Sequence, residues 1–406
     1  MAQPTMLYAV LIFAGTYLVL AIGRLPGFRV DRTGAAIIGA TLMVACNVLT
    51  IPEAIDAVDT GTIILLFGMM IVVANLRLSR FFALVTQWVV RRAHRPLILL
   101  ASIVVVSGIF SAFFVNDTMC LVLTPLVLDI TTHLRRNPVP YLLAVAMASN
   151  VGSVATITGN PQNMLIGSFS GIHYRAFAAA LAPVALAGLF VVVGLIAWIY
   201  RREFFSSAPR VEVEPPPVRV HRALAWKSTL VSAAMIVFFF AGWPVAKVAL
   251  VAGAVLLVTR RVKPERIYAE IDWSLLVLFI GLFIVVSGVE KTSLSADLFA
   301  IAYRLHLERP GVMSAFAAVL SNVVSNVPAV LVFRPFISHL PNPQHAWLTL
   351  AMSSTLAGNL TVLGSVANLI VLQRARHQVR IGFWEYARVG IPVTVLTIAI
   401  GVFWLR

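Results

Sequence analysis

The chain has 406 residues, 60% of them hydrophobic and 12% charged, with a formal net charge of +15. Apolar stretches of about twenty residues, the length that crosses a bilayer's hydrocarbon core, recur throughout, a pattern no soluble domain needs. The positive charge therefore speaks of topology rather than nucleic acid, and Cys46 and Cys120, both inside apolar stretches, support neither a disulfide framework nor a cysteine metal site.

The first span, 6–23, has no basic leader and no small-residue cleavage site before the next span, so it reads as a retained helix. Spans follow at 34–50 and 61–77, joined by a loop carrying Glu53, Asp56 and Asp59. Segment 78–92 (LSRFFALVTQWVVRR) is too short and too basic to cross, and fits an amphipathic helix along the interface. Segment 97–133 has its polar residues, VNDT, at its middle. As a full span it would bury that tip at mid-membrane and reverse the topology. A re-entrant hairpin avoids both problems, because non-helical backbone is tolerated at that depth where protein or a wet cavity surrounds it.

Segment 139–168 is apolar but interrupted at Gly159-Asn160-Pro161, which marks a broken helix or, at Pro161, an ordinary membrane-helix kink; a plain span at 176–200 follows. The most polar stretch, with Pro215, Pro216 and Pro217 in a row, lies near the midpoint. Beyond it the series repeats, with spans at 227–243, 245–259 and 273–289 and an interfacial counterpart at 293–308. A hairpin at 310–340 has VSNVP at its tip, a broken helix at 346–373 is interrupted at Gly364-Ser365-Val366, and a last span occupies 387–404.

The two halves match in sequence. AMASNVGSVATITGNPQNMLI (146–166) over AMSSTLAGNLTVLGSVANLIV (351–371) pairs Ala146/Ala351, Ser149/Ser354, Thr156/Thr361, Gly159/Gly364 and Asn163/Asn368 without a gap. SAFFVNDTMCLVLTP (111–125) over SNVVSNVPAVLVFRP (321–335) pairs Ser111/Ser321, Asn116/Asn326 and Pro125/Pro335, and a weaker match pairs Asp59/Asp272 and Gly68/Gly281. The expected fold is an all-α polytopic membrane protein of two inverted repeats, 1–203 and 227–406, joined by a cytoplasmic linker, 204–226. Each repeat has five transmembrane crossings, one re-entrant hairpin and one discontinuous helix. Loops 23–33, 77–96, 133–138, 201–227, 260–270 and 374–388 hold 24 of the 31 basic residues, which makes that side cytoplasmic and puts both termini outside the inner membrane.

Hairpin tips and helix breaks free backbone groups at mid-membrane, where helix N-termini favour anions and unwound carbonyls favour cations. Asn116 and Asn326 each bring a carbonyl oxygen and an amide, able to bind a cation or an oxyanion, or to hydrogen-bond between helices. Asp117 is an ionisable group within a membrane segment, a functional candidate by default, able to bind sodium when charged, carry a proton when neutral, or cap the helix that follows. Arg334 snorkels outward, pairs with a carboxylate or contacts an anion directly. Thr156, Asn163, Thr361 and Asn368 flank the breaks as supporting groups. No GxxxxGK phosphate loop, nucleophile elbow or His/Asp/Glu metal spacing occurs, so no pump or enzyme chemistry is indicated and no cofactor is called for.

These motifs resemble those of the ion transporter superfamily: citrate transporters, divalent anion/sodium symporters, arsenite permeases and sodium/proton antiporters. The resemblance covers essentially the whole chain. It implies one cation site at Ser111, Asn116, Asp117 and Gly159, a second at Ser321, Asn326 and Gly364, and substrate contacts from Asn116, Asp117, Asn160, Ser325, Asn326 and Ser365. It also implies sodium or protons as coupling ions, an elevator motion and a homodimer. Val115 and Val327 stand where the symporters carry hydroxyls, and Asp117 where they carry threonine; an Asn-Asp tip is similar to the arsenite-permease and antiporter branches. The function expected is secondary active transport of small anions (dicarboxylate, citrate or inorganic oxyanion). The alternatives are proton-driven arsenite or antimonite efflux, sodium/proton antiport and, from another class, a channel or a non-transporting scaffold.

Overall fold

The computed structural model describes residues 3–25, 27–92, 95–205, 221–259, 262–292 and 304–406. Most of the expected linker and most of the second interfacial stretch, 293–303, therefore lie outside the described residues. Among these residues the secondary structure is helical, apart from one isolated bridge between Arg24 and Asp31. The first half contains α1 (Gln3–Ile22), α2 (Arg32–Ala45), α3 (Ile51–Asp56), α4 (Thr60–Leu78), α5 (Phe81–Arg92), α6 (Pro96–Phe113), α7 (Asn116–His133), α8 (Pro138–Ser153), α9 (Pro161–Ser170), α10 (Tyr174–Ile199) and α11 (Arg201–Phe205). The second contains α12 (Arg222–Phe240), α13 (Val245–Leu257), α14 (Pro264–Tyr268), α15 (Trp273–Glu290), α16 (Pro310–Val324), α17 (Asn326–Ile337), α18 (Pro343–Ala357), α19 (Val366–Ala375) and α20 (Phe383–Trp404).

Seven of these, α1, α4, α6, α10, α12, α15 and α20, have the length and composition of membrane spans. The expected spans 34–50 and 245–259 are shorter: α2 has 14 residues and α13 has 13, which at 1.5 Å per residue is about 20 Å of helix. A left-handed turn at Asn47 (φ 55°) stops the first, and Gly242 (φ 88°) with Pro244 delays the start of the second.

Local chemistry sets where helices begin. Asp59 accepts from the Thr62 amide and Asp272 from the Leu275 amide, satisfying free donors at the starts of α4 and α15. Thr50 and Glu53 form a capping box for α3. Proline opens α6, α8, α9, α16 and α18, where its missing N–H costs nothing and its φ suits a first turn.

Two glycines weave the halves together. A Cβ on Gly68 of α4 would sit 2.6 Å from the Ala249 carbonyl carbon of α13, and one on Gly281 of α15 would sit 2.8 Å from that of Ala36 in α2. Backbones this close exclude any larger residue, the usual mode of packing where lipid supplies no hydrophobic drive between helices. The matched pair Gly68/Gly281 therefore marks two equivalent crossings, each made by one half against the other.

At the centre, α8 is buried from Val139 to Ser153 although it carries Ser149, Asn150 and Ser153. In α18 every residue from Thr349 to Ala357 is buried, including Ser353, Ser354 and Thr355. These helices face protein on all sides, and their polar residues point into the interior that holds the candidate site.

Candidate functional site

Two tips and two breaks meet at the centre of the molecule. Helix α6 turns into α7 through Phe114 and Val115, and α16 into α17 through Ser325 alone. Val115 (φ 52°) and Ser325 (φ 80°) are both left-handed, although neither is glycine. Such backbone costs about 1–3 kcal/mol and persists only where its surroundings enforce it.

The breaks share one architecture. Between α8 and α9 lies a single 3-10 turn, Ile157–Gly159, and between α18 and α19 the turn Val362–Gly364. Asn160 caps α9 by accepting from the Asn163 amide (2.8 Å), and Ser365 caps α19 by accepting from the Ala367 amide (3.2 Å). Asn163 Nδ2 donates to the carbonyls of Ser153 (3.1 Å) and Thr156 (3.0 Å), and Asn368 Nδ2 to those of Gly358 (2.7 Å) and Thr361 (3.1 Å). Each asparagine thus satisfies two carbonyls released by the break. Thr156 and Thr361 tie each break to the first arm of its own hairpin, donating to the Ala112 carbonyl and to Asn322 Oδ1 (3.0 Å) respectively. Gly159 and Gly364 have no room for a Cβ, which would lie 2.1 Å from the Ser153 carbonyl oxygen and 2.6 Å from Asn322 Oδ1.

Bonds also cross between the halves. Asn150 Nδ2 donates to Asn359 Oδ1 (2.9 Å) and Asn368 Oδ1 (3.1 Å), while its Oδ1 accepts from Asn116 Nδ2 (3.0 Å) and Ser365 Oγ (3.1 Å). At the equivalent position of the second half, Thr355 Oγ1 accepts from Asn160 Nδ2 (3.2 Å) and Gln162 Nε2 (3.1 Å). With its amide oriented to satisfy its neighbours, Asn326 donates to the Ser354 and Gly364 carbonyls and accepts from Gln162. Thr355 is readable in the sequence only as one of several hydroxyls on the broken helices, and Asn150, Asn359 and Gln162 were not anticipated: Asn150 and Thr355 differ in type, so matching identical residues between the halves does not pair them.

A cavity of about 100 Å³ opens among these elements. Its polar wall comprises Asn116, Asp117, Gln162, Ser325, Asn326 and Ser365, and its apolar wall includes Leu20, Leu275, Leu278 and Phe279. Asp117 is half-buried there, and the Ala367 amide faces its carboxyl. Asn160 is fully buried and turned away toward Ser153 and Thr355, and its neighbour Gln162 lines the cavity instead. Arg32, from the first turn of α2, is a cationic lining residue that its place in a basic loop had concealed.

The first turns of α7, α9, α17 and α19 all border this cavity. A helix N-terminus carries about half a positive charge, so four supply about two, against one negative charge on Asp117.

Of the expected cation ligands, Ser111 Oγ donates to Ser149 Oγ (2.9 Å), which donates to the Asn116 carbonyl (3.1 Å). Among the described residues, Asn116 Oδ1 and Ser321 Oγ are buried without hydrogen-bond partners. Hard oxygen donors of this kind suit a sodium ion, and one belongs to each of the two cation sites that the family resemblance implies. Among the described residues no cluster of histidine, cysteine and carboxylate residues exists that could hold a transition metal. Arg334 does not reach the cavity: its Nε lies 3.6 Å from Glu290 and its guanidinium stacks on Phe169, 4.4 Å from the ring centroid.

An uncharacterized transporter of Mycobacterium tuberculosis is 31% identical to this chain, covering 98% of each protein. The silicon efflux transporter LSI3 of Oryza sativa is 29% identical, covering 96% of this chain and 95% of the relative. The crystal structure of the Alcanivorax borkumensis YdaH transporter superposes with a TM-score of 0.61 at 16% identity over 99% of this chain and 97% of that one, a shared fold. The citrate transporter family matches residues 16–357. The protein is a multi-pass membrane transporter rather than an enzyme, and it belongs to the citrate transporter family.

Proposed function

We propose that this chain is a secondary active transporter that binds a small oxyanion or short carboxylate between the two hairpin tips and couples its movement to a cation at Asp117. The convergence of four helix N-termini on one cavity carries the reading, since oriented N–H groups and dipoles form an anion site without further charge. Size narrows the class. Pockets for drug-sized ligands run to about 300–1,000 Å³, and this one is near 100 Å³, room for a solute of a few heavy atoms rather than a tricarboxylate. The rice relative is a silicon efflux transporter, and a small inorganic solute is in keeping with a cavity of that size. Asp117 lies beside the same solute, so a proton or sodium ion on its carboxylate relieves repulsion of the anion, which is the elementary form of coupling.

The architecture in this reading is two inverted repeats of five crossings, 1–203 and 227–406, with re-entrant hairpins. The basic loops face the cytoplasm across the linker 204–226, and both termini lie outside. The equivalent bonding at both breaks and the reciprocal glycine crossings support it. Hairpins and broken helices move together against the remaining helices as an elevator, in a homodimer. A second reading, proton-linked efflux of a neutral oxyacid such as arsenous acid, draws on Asp117 as an acceptor for the solute's hydroxyl.

Uptake of radiolabelled sulfate, arsenite, succinate and citrate into proteoliposomes under separate sodium and proton gradients tests both readings. Gradient-driven accumulation of sulfate or succinate is the expected result, with citrate poorer. Accumulation of arsenite alone selects the second reading. Downhill flux insensitive to every gradient removes both in favour of a channel, and no flux at all favours a scaffold.

A further inference from the structure

Arg32 is held outside the hairpins and broken helices. Its Nε donates to the Leu20 carbonyl (3.1 Å) at the last turn of α1, which fixes the guanidinium at the corner between α1 and α2. The side chain is half-buried and lines the cavity that Asn116, Asn326 and Ser365 also border.

The charged groups nearby leave it without a counter-ion. Asp31 is engaged as the cap of α2, Asp272 as the cap of α15, and Asp117 shares the cavity. None of the three forms an ion pair with Arg32 among the described residues. A guanidinium partly withdrawn from water against Leu20, Leu275 and Phe279 is costly unless something supplies the opposite charge. Its Nη groups form a planar fork that matches two oxygens of an oxyanion.

We infer that Arg32 is a substrate-binding residue: it grips one end of the oxyanion while the hairpin tips and helix N-termini hold the other. Because Arg32 belongs to α2, it stays behind when the tips carry substrate away, so it contributes to binding at one membrane face only. Affinity is then higher where the present cavity opens and lower at the other face, which lets the anion leave. The inference rests on the proposed transport of a small anion.

The test uses Arg32→Gln and Arg32→Lys in the full-length protein, reconstituted in vesicles of known orientation, with whichever of sulfate or succinate the native chain moves faster. R32Q raises the apparent KM at one face by roughly tenfold or more, the scale of a lost charge-assisted hydrogen bond, and leaves the opposite face within about twofold. R32K, which keeps charge but not the fork, falls between. A residue that merely braced the corner between α1 and α2 would alter transport at both faces alike. An unchanged KM, or an equal change at both faces, therefore overturns the inference. If R32Q fails to elute as a single species in detergent, R32K decides by the same one-face criterion. If the native chain moves neither anion, the transport reading has failed separately. Sulfate-dependent thermal stabilisation of native protein and R32K then judges the residue, and equal stabilisation overturns it.

Discussion

At the helix breaks the two halves use one device, whereas at the hairpin tips they use two. Asn163 and Asn368 donate to corresponding pairs of carbonyls, and Thr156 and Thr361 reach the corresponding hairpin arm. The tips share an asparagine after a left-handed residue, but Asp117 follows Asn116 in α7 while Val327 and Pro328 follow Asn326 in α17. The breaks must be the same because each solves one problem, the free carbonyls of an interrupted helix in a medium without water. The tips line the cavity as well as bonding to backbone, and only one of them carries an ionisable group.

The largest effect that would break this contrast comes from Asp117. Asp117→Asn is expected to abolish gradient-driven accumulation while leaving the protein folded, and moving the carboxylate with the pair Asp117→Val and Val327→Asp is expected not to restore it. Recovery of uphill transport in the exchanged variant would show the tips to be interchangeable. Next come the break glycines. Gly159→Ala drives a Cβ onto the Ser153 backbone, which cannot yield, and is expected to destabilise by about 3 kcal/mol. Gly364→Ala meets first the side-chain oxygen of Asn322 and is expected to cost about half as much; equal melting temperatures in detergent would contradict this.

Asn163→Ala and Asn368→Ala sharpen the likeness of the breaks. Each leaves two buried carbonyls unpaired, worth about 2 kcal/mol, so thermal unfolding should fall by matching amounts. The smallest effect lies at the periphery. Glu53 is held down to about 2 chiefly by its hydrogen bond to Lys291. A carboxyl lowered in this way stabilises the fold above its ordinary range and loses that contribution only as pH falls toward the folded value. Glu53→Gln is therefore expected to leave the melting temperature and its pH profile between 5 and 8 within error, since exposed pairs contribute little.

Gly-Asn-Pro and Gly-Ser-Val inside apolar segments were enough to locate both breaks, and VNDT and VSNVP both tips, because backbone irregularity within an apolar run leaves a strong mark. The cross-links between halves left none. Asn150 sits in a helix interior, and its partners Asn359, Ser365 and Asn368 lie in the other half of the chain. Arg32 looked like any other cytoplasmic charge, since its role depends on the fold turning the start of α2 toward the tips. Arg334 reads in the sequence as snorkelling, pairing or touching an anion, and the contacts with Glu290 and Phe169 that keep it from the cavity depend on two further elements.

The reciprocal glycine crossings bear on how the protein is made. Helix α2 finds its backbone-to-backbone partner in α15, and α4 in α13, so the first half leaves the ribosome with two small-residue faces uncovered. Those faces are closed only after the second half has been inserted. Assembly is therefore post-insertional for both crossings, and the two halves expressed as separate polypeptides should each be degraded alone and rescue one another together.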